Sequence, residues 1–304
     1  FKIIFHQRFT MNLTEYTVSS TKIKDFYIPV SDGIELYCID FMPKKDNPSK
    51  PIIFFVAGWI SHITGWKEVM HTLTDEYRVI YIETREKTSS KIPEGKTYKD
   101  FSFNVMRMVL DLHEVIQKVI PKNRTFVMAG SSLGSSIILE YLAMNTRQPE
   151  CALLIGPIPE FRYPPLLGDI IPRLPASWYN VLKELVKWYL RNFRLDTEKE
   201  KEQMSKYTNT INSADPYKLK PNALALKNYN LWDKLPFITT PCYIFGAKTD
   251  KLHAIDDIKR LLQNLKIAEY IECESNKETH SKVVAIHFKN IILKKLYTKI
   301  KPKK

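Results

Sequence analysis

A chain of 304 residues with 44% apolar and 12% aromatic side chains has enough apolar material for one sizeable core, which excludes a disordered chain. Its formal net charge of +13 does not make it a nucleic-acid binder. Residues 289–304 hold seven lysines (Lys289, Lys294, Lys295, Lys299, Lys301, Lys303 and Lys304) and no acid, and elsewhere basic residues are not clustered with interleaved aromatics.

The lysines read as a solvated tail, whose one membrane contact would be weak attraction to anionic lipid. No apolar run approaches the about 20 residues a spanning helix needs, the run 52–60 included. Phe1 opens no signal-peptide layout, and Met11 is the expected native start. Cys38, Cys151, Cys242 and Cys273 are far apart and mostly inside apolar runs, so reduced thiols and a cytoplasmic location are expected.

Along the chain, residues 25–30 and 34–42 are β-rich and flank Ser31, Asp32 and Gly33, which predicts an antiparallel hairpin. Residues 51–57 form a continuous apolar run ending at Gly58, as a strand buried on both faces does. Similar short runs cover 79–83, 125–129, 151–155, 242–245 and 268–273. Between them, Val105, Val109, Leu112, Ile116 and Val119 recur at helical spacing over 103–119, with Arg107, Asp111, Glu114 and Lys118 facing away. Residues 133–144 and 283–297 are further helices, so the alternation predicts a mostly parallel sheet covered on both faces. Six of the 18 prolines fall at 157, 159, 164, 165, 172 and 175 and interrupt the pattern. After Ser177, a good N-cap, Trp178, Leu182, Leu185, Tyr189 and Phe193 mark one helix face; a charged segment, 196–203, and a helix near 221–227 follow. This reads as a helical insertion.

The chemistry is concentrated in Gly130-Ser131-Ser132-Leu133-Gly134, a GxSxG between a predicted strand and a predicted helix. A tight strand-to-helix turn needs small flanking residues, and it would raise the Ser132 hydroxyl at the carboxyl ends of the strands. The N–H of Leu133, opening the helix, would then face a developing oxyanion.

In these residues the chain resembles the α/β-hydrolase family, over nearly its whole length from Ile28 to Tyr297. The resemblance implies an α/β-hydrolase fold with its core in 1–156 and 233–304 and a helical cap in 157–232. It implies an oxyanion loop at 54–59, with the N–H of Trp59 as second donor, although the family's frequent His-Gly is Ala57-Gly58 here. It also departs at 83–90, where Arg85 survives but the glycines of the family's Asp-x-Arg-Gly-x-Gly-x-Ser stretch do not. By position and chain order the acid is Asp250, preferred over Asp256 and Asp257, and the base is His280 among seven histidines.

No phosphate loop, HExxH, EF-hand loop or thiolate cluster is present, so no metal or other cofactor is implied, and water is the expected second substrate. Ser132, His280 and Asp250 predict a serine esterase, lipase-like, acting on a small-molecule ester. Phe161, Tyr163, Trp178, Tyr189 and Phe193 point to an apolar or medium-chain acyl or alcohol group, unless that stripe only packs the cap onto the core. An acyltransferase or thioesterase on the same triad is the nearest alternative, and a non-catalytic binding protein of this fold is the other.

Overall fold

The computed structural model describes residues 12–144, 146–162, 173–189, 191–192, 201–247 and 255–300. Eight strands form one sheet in the order β1-β2-β4-β3-β5-β6-β7-β8. They are β1 (Lys22–Pro29), β2 (Glu35–Met42), β3 (Ile52–Val56), β4 (Val79–Ile82), β5 (Phe126–Ser131), β6 (Ala152–Ile155), β7 (Cys242–Ala247) and β8 (Ala268–Cys273). β1 and β2 are the expected hairpin, with Gly33 at φ 91, and β2 joins β4 antiparallel; every pairing from β4 to β8 is parallel. The sheet's edges are β1 and β8.

The central strands β3, β4, β5 and β6 are buried at every position, which is why their sequences are continuously apolar and not alternating. One core lies between the sheet and the helices α2 (Val105–Val119) and α3 (Leu133–Leu142). The other lies under α1 (Lys67–Leu73) and the last helix, α8 (Lys282–Ile300), so helices cover both faces. Asp111, expected on the outer face of α2, is instead buried because Arg85 faces it with two hydrogen bonds of 2.6 Å.

Between the parallel neighbours β6 and β7 the chain runs through α4 (Tyr179–Tyr189), α5 (Lys201–Ser213) and α6 (Pro216–Leu226); α7 (Ile255–Asn264) then separates β7 from β8. Ser177 does not cap α4: it lies inside a 3-10 turn, Ala176–Trp178, that leads into the helix. α6 starts earlier than the sequence suggests, because the Asp215 carboxylate accepts from the N–H groups of Tyr217 and Lys218 and Pro216 occupies the first turn. The lysines after 288 are not a free tail throughout: Lys289 in α8 reaches Glu76 at 2.6 Å. No helix among the described residues is long and apolar enough to cross a membrane. All four cysteines are unpaired and buried, and burial pushes the Cys38, Cys151 and Cys242 thiols up to about 12.

Candidate active site

β5 ends at Ser131 and α3 begins at Leu133, so Ser132 alone makes the turn. Its backbone is at φ 49 and ψ −122, a conformation that L residues rarely adopt and that surrounding structure must hold in place. The Ser132 N–H donates to the Ile155 carbonyl at 2.8 Å. Ser135 donates its hydroxyl to that same carbonyl, and the Ser136 hydroxyl donates to the Ile158 carbonyl at 2.7 Å. The serine run after Ser132 therefore lashes α3 to the exit of β6, a role the sequence reading did not assign.

Space is short on both sides of the turn, most severely at Gly134. A Cβ on Gly130 would meet the Ile138 side chain at 2.7 Å, and one on Gly134 would meet the Val56 carbonyl at 2.3 Å. Backbone cannot yield as a flexible side chain can. Gly58 makes the reciprocal approach: a Cβ there would lie 3.1 Å from Ser131 Oγ and 3.3 Å from Ser132 Cβ. The loop after β3 thus passes directly against the Ser132 turn. Ser131 is buried in the strand while Ser132 is partly exposed, so of the two only Ser132 is presented. Leu133 opens α3, where N–H groups have no acceptor within the helix.

His280 closes a 3-10 turn, Glu278–His280, after the edge strand β8. Its ring stacks on Trp66 with centroids 4.3 Å apart, and Trp66 packs edge-on against Phe55 of β3. These contacts bring the imidazole from the sheet edge to the middle, beside the loop after β3. Nδ1 lies 3.1 Å from the Asn276 carbonyl and 2.9 Å from Thr279 Oγ1, which itself donates to that carbonyl. A proton on Nδ1 would satisfy that carbonyl, and it is the tautomer a general base acting through Nε2 would need.

A family model described as serine aminopeptidase, S33, matches residues 47–273. The chain belongs to the α/β-hydrolase family. Among solved structures it is similar to an esterase from Exiguobacterium antarcticum (TM-score 0.68, 19% identity, 90% of this chain and 100% of that one). It is also similar to an enol-lactonase from Burkholderia xenovorans LB400 (0.69, 19%, 90% and 100%) and a thermophilic esterase from Thermogutta terrifontis (0.68, 16%, 90% and 99%). At these identities the likeness speaks for the fold alone. No curated protein sequence matches the chain.

In this α/β-hydrolase the remaining sequence candidates are placed unevenly. Asp250 lies outside the described residues, as do Tyr163 and Phe193, and the side chain of Tyr189 is not described. Of the other acids, Asp256 is exposed on α7, and Asp257 is held by the Arg162 guanidinium at 2.9 Å. Phe161 packs edge-on against Trp59, centroids 5.6 Å apart, and lines a groove of about 380 Å³ with Tyr229, Trp232 and Arg260. Trp178 is half exposed ahead of α4.

The divergent segment after β4 is held by ion pairs and hydrogen bonds of its own. Arg85 pairs with Asp111 and Asp32, and the Ser90 hydroxyl donates to the Arg85 carbonyl. Of the two positions that lack the family's glycines, Glu86 is buried and Thr88 exposed; Lys87 between them is buried, which pulls its ammonium below the ordinary lysine range. Lys218 of α6 donates to the carbonyls of Lys87 and Ser90, tying α6 to this loop. His62, set aside on sequence order, bridges the two as well, with Nε2 2.9 Å from Ser213 Oγ and Nδ1 3.7 Å from Glu83. No sequence signal marked these last contacts, because their partners lie on distant segments.

Proposed function

We propose that this α/β-hydrolase cleaves carboxylic esters through an acyl-enzyme on Ser132. The observation that carries the reading is the strained backbone of Ser132 between β5 and α3, with the Gly58 loop pressed against it. Such strain is retained where the surroundings over-determine it, and here it raises one hydroxyl above the strand ends.

His280 Nε2 takes the Ser132 proton as Oγ bonds to the ester carbonyl carbon, and the carbonyl oxygen becomes an oxyanion between the N–H groups of Trp59 and Leu133. Collapse of this intermediate breaks the bond to the alcohol, which leaves with the proton from His280. Water, deprotonated by the same imidazole, then frees the acid and restores Ser132. Asp250, following β7, is the acid that stabilises the imidazolium. Residues 157–232 act as the cap over this site, and Phe161 supports an apolar or medium-chain ester as substrate.

A fluorophosphonate should label the folded protein at Ser132, and p-nitrophenyl butyrate should be hydrolysed by wild type and not by Ser132→Ala. Labelling confined to Ser131, or equal turnover by the two proteins, would remove the reading.

A further inference from the structure

We infer that Asn222, on α6, is a positioning residue that sets the oxyanion loop through the side chain of Trp59. The inference rests on the ester-hydrolase reading above and deepens it.

The loop after β3 has to aim a main-chain N–H at a reacting oxygen, yet it has few anchors of its own. The residue after Trp59, Ile60, sits at φ 50, which is unfavourable for a β-branched side chain. One turn bond, from the Ser61 N–H to the Gly58 carbonyl at 3.0 Å, closes the loop locally. The Trp59 indole supplies the rest. Its Nε1–H donates to Asn222 Oδ1 at 2.7 Å, and its ring meets the edge of Phe161.

Asn222 is suited to be a fixed post. It is fully buried, and its amide nitrogen donates to the Phe103 carbonyl at 2.6 Å. A flipped amide would set NH₂ against the indole N–H and oxygen against the Phe103 carbonyl, so only one orientation satisfies all three groups. The helix beneath it is fixed as well, by the Asp215 cap at its start and by Lys218 reaching the loop after β4. Side-chain position at Trp59 constrains the backbone that bears the donor N–H. Because an oxyanion donor acts over a narrow range of geometry, and removing one costs about 10² to 10³ in kcat, a loosened donor should cost a substantial part of that.

The test uses the full chain and p-nitrophenyl butyrate. Asn222→Leu removes the acceptor at similar volume, and Trp59→Phe removes the indole N–H with part of the ring while keeping an aromatic ring against Phe161. Each should lower kcat roughly tenfold or more with KM within about twofold, since the loop acts on the transition state. The double variant should be no worse than the poorer single one, because both break the same bond. Phenylboronic acid, whose tetrahedral adduct uses the same donors, should lose affinity in parallel with kcat. If Asn222→Leu folds poorly, Trp59→Phe alone decides. Unchanged kcat in Trp59→Phe, or additive losses in the double variant, would overturn the inference and leave the ester-hydrolase reading standing. A wild-type protein whose Ser132 resists fluorophosphonate would overturn both.

Discussion

Helices α2 and α4 both carry apolar residues at helical spacing, and they meet opposite ends. On α2, Val105, Met108, Val109, Leu112, Val115 and Ile116 are all buried against the sheet and α3. Around α4, Trp178, Val181, Leu185 and Trp188 are exposed by 54%, 69%, 56% and 53%, while Lys187 is buried and paired with Glu184. Periodicity identifies a helix with a face. What the face meets is decided by elements far away in sequence, and a sheet of eight strands supplies a floor for α2 that α4, tied to α5 by the Tyr179 hydroxyl at the Ile211 carbonyl, does not share.

The contrast can be broken by substitution. The largest effect is expected from Leu112→Ala, which should cost about 2 to 5 kcal/mol in urea unfolding by emptying a packed site. A cost below 1 kcal/mol would mean that the α2 core is looser than its burial suggests.

An intermediate effect should come from the outer side of α2. Burial raises the Glu114 carboxyl, but hydrogen bonds from Ser31 and Arg107 outweigh it and hold the group below its ordinary value. Asp32 is also raised by burial and is brought lower by Arg85 and the Ile34 N–H. Because both folded-state values lie below the unfolded ones, their stabilisation is complete above about pH 4.5 and is lost as pH falls through the lowered values. The melting-temperature deficit of Glu114→Gln should therefore be present at pH 6 and shrink toward pH 3. A deficit that grows on acidification would reverse the sign.

The smallest effect is expected on α4, where Val181→Ser and Trp178→Ser should each stay within about 0.5 kcal/mol of wild type. A loss comparable with Leu112→Ala would erase the contrast and show that the face is covered in solution.

The same contrast separates what the sequence disclosed from what it hid. The central strands were legible to within a residue or two at each end because parallel strands buried on both faces leave continuous apolar runs, and residues 268–273 were read as the edge strand β8 although they are only partly buried. The strand-to-helix turn at Ser132 was legible because glycine spacing, strand and helix coincide there, whereas the choice of His280 among seven histidines came from chain order in a known family. The start of α6 was misread at Pro221, which lies inside the helix, although Asp215-Pro216 carried the capping signal. Asp111 was assigned to the outer face because nothing local announces Arg85, 26 residues before it. Asn222 had no signal at all, since its partners Trp59 and Phe103 stand 163 and 119 residues away.

The two strands at the edges of the sheet among the described residues bear on how the molecule behaves at high concentration. An unpaired strand invites another chain to extend it, and proteins discourage this with charge and proline. β1 exposes Lys22, Lys24 and Asp25 and ends at Pro29, whereas β8 exposes Glu269 and Glu272. Stacking β8 on a second β8 would bring Glu269 of each copy close to the other's acidic edge, which disfavours that pairing. Between β1 and β8 the charges are partly complementary, and the proline that closes β1 shortens the stretch able to pair. Solubility at the edges is thus written into about six side chains that take no part in the core.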